Sequence, residues 1–304
     1  MLEETPLVSI AMATYNGEKY LAEQLDSLVN QTYPSIEIVI TDDHSKDSTV
    51  SIIQSYQKRY TFIRLFAKEQ NSGVTGSFEN SVIESKGDFI AFCDQDDIWD
   101  LDKVSILVNE INQEDAVYSN SILVNKKGEL LHRDFKTMMN LQSYYSGAPF
   151  LLANCVPGHT ILMKTGFAKK ILPFPRHIYF DNWISFCAAA NNGIRYIDKG
   201  LVKYRQHEDN TIGVAKLRGK KKRETSQQLF NYKLKELEAF AKAPISSEET
   251  KHILHDMISL FHRGWNLKRS IFFFRNIDTI LVIKNKPYYK KIFFCIKMFF
   301  KPNY

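Results

Sequence analysis

The sequence lacks most of the usual signatures of site chemistry. Its four cysteines, Cys93, Cys155, Cys187 and Cys295, lie far apart and mostly within apolar runs. That spacing excludes a thiolate metal site and a dense disulfide framework, and it implies reduced, buried thiols in a cytosolic protein. None of the glycines forms Gly-x-Gly-x-x-Gly or Gly-x-x-x-x-Gly-Lys-Ser. A dinucleotide fingerprint and a phosphate-binding P-loop are therefore both absent. No stretch reaches 18 uncharged apolar residues, so no transmembrane helix is expected. The opening MLEETPLVS has no basic region followed by an apolar run, so no signal peptide is read there.

Charge is present but unevenly placed. The net +6 of the 304 residues conceals a basic back: residues 214–304 hold 20 Lys/Arg against 7 Asp/Glu, net +13, leaving −7 for residues 1–213. The expected organisation is a mildly acidic unit over 1–213 and a basic, aromatic, helical region over 214–304. Such asymmetry implies that the back meets an anionic surface. The tail segments IFFFRNIDTILVI and YYKKIFFCIKMFF group their aromatics in apolar runs rather than spacing them singly among cations. That pattern favours an anionic membrane surface over nucleic acid, and no nucleic-acid partner is expected. Packing of these aromatics onto the rest of the chain is the competing reading.

The front of the chain alternates strand and helix. Strands are expected at 7–13, 36–41, 62–67 and 88–93. Between them, helices are expected from Tyr20 to Leu28, through Val50, Ile53 and Tyr56, and over 76–86. Short connections between such elements predict an α/β fold: a mixed, mainly parallel sheet flanked by helices. Further on, the spacing predicts a helix over 99–112, a strand over 116–125, a helix through 181–190 and a strand pair over 194–204. Two more helices are expected around residues 229–240 and 253–261.

The most informative stretch is Asp94-Gln95-Asp96-Asp97, directly after the apolar Phe89–Phe92. In open α/β sheets, ligands bind beyond the carboxyl ends of the strands. Polar turns after three of the four strands place Tyr15, Asp43 and Asp96 on one such edge. Paired aspartates there suit a hard divalent cation such as Mg²⁺ or Mn²⁺, which prefers oxygen ligands and leaves room for phosphates. Each of these residues also has a plainer reading: Asp96 can cap a helix or sit in a loop, Asp43 can cap the following helix and Tyr15 can be a packing aromatic; further on, Asp181 can cap a helix, Trp99 can be core and Lys103 a solvated charge.

The segments TYNGEKYLAEQLDSL, ITDDHSKDST, GDFIAFCDQDDIW, FDNW and YRQH occur in an order that resembles the family-2 inverting glycosyltransferases of the GT-A fold. The similarity is greatest to bacterial members that build surface polysaccharides, many of them rhamnosyltransferases, and covers roughly residues 6–213. It implies a Rossmann-like sheet with a C-terminal helical extension. It further implies that Tyr15 stacks on a pyrimidine and that Asp43 bonds its imide or the ribose. Thr14, Asn16, Asp94, Gln95 and Asp96 would complete the donor side, with Asp96 and His207 toward the metal. Asp181 falls where such enzymes place the catalytic base, although Phe180 replaces the polar residue that many members carry before it. Asp97, Trp99, Lys103, Asn154, Gly158, His159, Asn182, Trp183 and Arg205 are candidates for the acceptor pocket.

The resulting expectation is a glycosyltransferase at the cytoplasmic face of the cell membrane. It would pass a sugar from dTDP-rhamnose or a UDP-hexose to a polyprenyl-pyrophosphate-linked saccharide in O-antigen or capsule synthesis. The alternatives are a non-catalytic nucleotide-sugar-binding or scaffold protein of the same fold, and a nucleotidyltransferase. The second is disfavoured by the missing glycine-rich basic loop.

Overall fold

A computed structural model describes residues 5–207, 226–261 and 266–300. Strand β1 (Val8–Thr14) shows how the sheet forms. Val8, Ile10 and Met12 enter one apolar cluster and Ala11 the other, because successive side chains of a strand point to opposite faces. Both faces are therefore buried, as a parallel sheet requires. β2 (Ile36–Asp42), β3 (Ile63–Ala67) and β4 (Phe89–Cys93) all run parallel to β1 in the order β3-β2-β1-β4. Helices α1 (Leu21–Val29) and α2 (Thr49–Gln57) cover one face with Leu21, Leu25, Leu28, Ile53 and Tyr56. Helix α3 (Val74–Glu84) covers the other with Phe78 and Val82.

Beyond β4 the sheet becomes mixed. It continues through β8 (Ile161–Lys164), β6 (Ala116–Val124), β9 (Ile194–Arg205) and β5 (Ile98–Trp99), while β7 (Leu130–Asp134) pairs with β6. β8 is antiparallel to both β4 and β6, and β9 is parallel to β6. The carboxyl end of β9 therefore emerges on the same edge as those of β1, β2 and β4. This is the mixed α/β architecture that the sequence predicts.

Two local expectations change. Residues 194–205 form one strand, not a strand pair. The register against β6 shifts between Ser119 and Ser121, near Gly200, so an extra loop of backbone is absorbed as a bulge instead of reversing the chain. The helix expected over 99–112 is shortened to α4 (Lys103–Glu110), because Ile98 and Trp99 pair with Lys203 and Val202.

The C-terminal helices are α7 (Ser226–Phe240), α8 (Glu248–Phe261), α9 (Leu267–Arg275), α10 (Ile277–Ile280) and α11 (Tyr288–Phe300). Leu237, Phe240, Leu254, Met257, Phe261, Phe273 and Ile280 are buried in the cluster that also holds Phe78 and Phe92. Phe240 stacks on Phe186 of α6 (Phe180–Ala189), with ring centroids 4.0 Å apart. Within the aromatic tail, Phe272 and Phe273 are thus core. The basic run Lys220–Arg223 lies outside the described residues. All four cysteines are buried thiols. Among the described residues no helix is long and apolar enough to cross a membrane.

Candidate active site

Four strand ends converge on one groove of about 1020 Å³. At the end of β1, Thr14 is buried and donates its hydroxyl to Asp42 (2.8 Å). Tyr15 follows with its ring 48% exposed, while its backbone is clamped by Gln95. The Tyr15 N–H donates to Gln95 Oε1 (2.8 Å), and Gln95 Nε2 donates to the Tyr15 carbonyl (3.1 Å). Asn16 takes φ 47°, a left-handed conformation that asparagine tolerates better than most residues, and its Oδ1 accepts from Lys46 N–H (2.8 Å). At the end of β2, Asp43 is buried and holds the Asn71–Gly73 loop. Its carboxylate accepts from Ser72 N–H (2.8 Å), Ser72 Oγ (3.0 Å) and Gly73 N–H (2.8 Å). Gly73 sits at φ 80°, which a side chain would strain.

The acidic cluster follows β4. Asp94 is partly open, Asp96 mostly covered and Asp97 wholly buried. His207, beyond the end of β9, places Nε2 2.8 Å from Asp96 Oδ2. His159 Nδ1 lies 3.5 Å from both Asp94 Oδ2 and Asp97 Oδ2. One ligand atom each from Asp94, Asp97 and His159 falls within 4.8 Å of the others. Burial, then the charges of Asp96 and Asp94, pushes the Asp97 carboxyl well up. Asp97 Oδ2 is buried without a hydrogen-bond partner. Crowded carboxylates of this kind are relieved by a cation, and an oxygen-rich set with imidazole suits Mg²⁺ or Mn²⁺. The residues present therefore fit a divalent metal.

Beneath the cluster lie two buried basic side chains. Arg205 donates its backbone N–H to Asp97 Oδ1 (3.0 Å), Nε to the Asp96 carbonyl (2.8 Å) and Nη2 to Glu23 (2.6 Å). Lys103 donates to the His159 carbonyl (2.7 Å), and burial holds its amine well below the usual range.

On the opposite wall, Asp181 lies in the first turn of α6. Desolvation, with a smaller contribution from Asp94, pushes its carboxyl up to about 7. Phe180, the unusual neighbour, packs on Phe78 (centroids 4.2 Å) and Phe92 (5.2 Å), which fixes the start of α6 to the sheet. Gly158 lies directly against Phe180, so that a methyl group there would collide with the ring. Asn182 donates to the buried Glu236 of α7, which also accepts from Lys233.

The groove brings together Thr14, Tyr15, Asn16, Asp43, Asp94, Gln95, Asp96, Asn154, Gly158, His159, Asp181, Asn182 and His207. Asp97, Trp99, Lys103, Trp183 and Arg205 do not line it. The first three and Arg205 support the floor from below. Trp183 is core, its Nε1 donating to the Ile171 carbonyl (2.9 Å). Sequence reasoning missed Tyr232, Lys233 and Glu236, which line the groove from α7. Lys233 and Glu236 are three residues apart on a helix, a spacing that reads as an ordinary surface pair.

A groove at the carboxyl edge of an α/β sheet, with an acidic cluster on one wall and a desolvated aspartate on the other, has the make-up of a group-transfer active site. The model of the family "Glycosyl transferase family 2" matches residues 9–172, and the chain belongs to that family. It is a glycosyltransferase. It is 29% identical over 218 residues to the dTDP-rhamnosyl transferase RfbG of Shigella flexneri, covering 66% of this chain and 73% of that protein. An uncharacterized glycosyltransferase of Rickettsia typhi is 28% identical over 225 residues, covering 69% and 67% of the two chains. The fold is similar to that of S. aureus TarS 1-349 in complex with UDP-GlcNAc, with TM-score 0.59, 19% identity and coverage of 96% and 80%. It is also similar to mannosyltransferase PcManGT from Pyrobaculum calidifontis in complex with GDP-Man and Mn²⁺, with TM-score 0.56, 16% identity and coverage of 85% and 71%.

Proposed function

We propose that the chain transfers a sugar, with inversion, from a nucleoside-diphosphate sugar to a lipid-linked saccharide at the cytoplasmic face of a membrane, in surface-polysaccharide (O-antigen or capsule) synthesis. The observation that carries this reading is Asp181. It sits in the first turn of α6 on the same groove as the acidic cluster, where desolvation pushes its carboxyl up to about 7. A base of this kind takes the acceptor hydroxyl proton as the oxygen attacks the anomeric carbon from the face opposite the leaving group.

Asp94 and Asp96 would hold Mg²⁺ or Mn²⁺, with His159 or His207 and Asp97 beside them. The bound metal would supply charge neutralisation for the departing diphosphate. The half-exposed Tyr15 ring would face the donor base, and Asp43 would shape its pocket through the Asn71–Gly73 loop. The catalytic unit is expected over residues 1–213, and on this reading α7 adds the acceptor-side wall through Tyr232, Lys233 and Glu236. The similarity to RfbG favours dTDP-rhamnose as donor, with UDP-glucose and UDP-galactose next.

The test is a donor screen against a synthetic pyrophosphate-lipid sugar, with manganese, magnesium and chelator compared. Metal-dependent transfer is expected from one donor. Asp181→Asn should lower kcat by about 10²–10⁴-fold while leaving donor affinity within twofold. Donor binding without turnover by the unmodified chain under any condition would favour a non-catalytic binding protein instead.

A further inference from the structure

Helix α11 packs by one side only. Its Cys295 and Met298 are buried, Phe294 meets Phe273 edge-on (centroids 5.6 Å), and the Cys295 and Met298 carbonyls accept from Ser270 Oγ (2.8 Å) and Arg269 Nε (2.7 Å) of α9. The outer side carries Tyr289 (65% exposed), Phe293 (56%) and Ile296 (43%), at the i, i+4, i+7 spacing of one helical stripe. Tyr288 is exposed as well, and Ile292 and Phe299 are half-buried. At about 100° per residue these six fall within one sector of roughly 140°. Lys290 and Lys297 flank that sector, resting over the Tyr289 and Phe293 rings at 5.8 and 4.9 Å.

Helix α9 repeats the arrangement. Leu267, Ile271 and Phe274 are exposed at the same spacing, with Lys268 and Arg275 in the corresponding places. The two segments, LKRSIFFFR and YKKIFFCIK, align without a gap. A core helix has no use for the outer apolar stripe, and a solvated helix would carry polar residues there.

Charge decides what covers these faces. Residues 266–299 hold eight Lys/Arg and a single acidic residue, Asp278. Arg269 is buried, and Lys291 lies 3.9 Å from Asp278. Lys268, Arg275, Lys284, Lys286, Lys290 and Lys297 remain around the apolar stripes. Two copies meeting through such faces would set these cations against one another. An anionic bilayer instead accepts the apolar sector at the acyl boundary and the lysines among its headgroups.

We infer that the outer face of α11 docks the protein in the plane of an anionic lipid surface. The inference deepens the membrane-face reading above and rests on it, while its test reads vesicle binding and needs no turnover. Full-length protein would be sedimented with phosphatidylcholine vesicles with or without phosphatidylglycerol, across a salt series. Binding is expected only to the phosphatidylglycerol vesicles, weakening as salt rises. Phe293→Ser with Ile296→Ser should reduce partitioning at least tenfold, and Lys290→Gln and Lys297→Gln about fivefold each. Ile83→Ser, at an exposed position of α3, should leave it unchanged.

Circular dichroism and donor hydrolysis without vesicles, measured on each variant, separate loss of the surface from loss of the fold or of catalysis. Undiminished vesicle binding by the double serine variant would overturn the inference. So would salt-insensitive binding to pure phosphatidylcholine. So too would absence of vesicle binding together with a dimer, seen by sedimentation velocity, that the serine pair dissolves.

Discussion

The two walls of the groove satisfy their polar groups in opposite ways. At the ends of β1 and β2 the chain holds its own polar groups: Asp43 accepts three hydrogen bonds from the Ser72–Gly73 loop, and both amide atoms of Gln95 grip the backbone of Tyr15. Around the acidic cluster and at Asp181 across the groove from it, Asp97 Oδ2, His159 Nε2 and Asn182 Oδ1 are buried without hydrogen-bond partners, and the Asp181 carboxyl is pushed up to about 7. Buried polar atoms are costly when unsatisfied, so they persist where something else completes them. Around Asp94–Asp97 and Asp181, three such atoms are left for something other than the chain to complete.

This contrast can be broken by experiment, beginning with the largest effect. Asp96→Ala should lower transfer about a hundredfold or more and abolish the difference between manganese and chelator, as read by product formation. An unchanged metal response would move the cation away from the cluster.

The pH profile comes next. Burial raises the Asp181 carboxyl, so its neutral form persists below about 7, and the fraction of competent base grows as pH rises through that value. In the metal-free protein, NMR titration of the Asp181 carboxyl should show a midpoint near 7. Metal should move the midpoint down, because it offsets the charge of Asp94. A midpoint in the ordinary aspartate range would show that the two walls are equally solvated.

Glu236→Ala would strip Asn182 and Lys233 of their shared partner. About 1–3 kcal/mol of stability in urea melts should be lost, and acceptor KM should rise more than donor KM. The smallest effect is expected at Tyr15→Ala. Removing one half-exposed stacking ring should raise donor KM about tenfold without touching stability. A change in acceptor KM instead would reassign the Tyr15 wall.

Much of the donor side could be read in the sequence because its determinants are local. Alternating apolar runs ending in polar turns place Thr14, Tyr15, Asp43 and Asp94 on one edge once the strands are parallel, and the registers Thr14↔Asp42 and Met12↔Cys93 show that they are. The wall formed by α6 and α7 was less legible. Tyr232, Lys233 and Glu236 reach the groove only because α7 folds back onto α6, across more than 50 residues of chain from Asp181 to Glu236. Trp99 and Trp183 looked equally available, yet packing buries one against the sheet and the other beneath α7, where burial of a large apolar ring outweighs any role at the surface.

By itself the sequence determined the strand–helix alternation, the acidic cluster at the end of β4 and the family to which the chain belongs, because each depends on residues close together along the chain. Only the tertiary structure decided that Phe180 is seated on Phe78 and Phe92, that Arg205 and Lys103 support the floor from below, and that α7 closes one wall. The same division holds in the tail, where composition announced aromatics and cations but packing chose which rings are core and which face outward. Phe240, Phe261 and Phe273 are inside, and Tyr289, Phe293 and Ile296 are outside. The physical reason is common to all of these. A side chain's burial and its partners depend on contacts between segments far apart along the chain, and local periodicity carries no record of them.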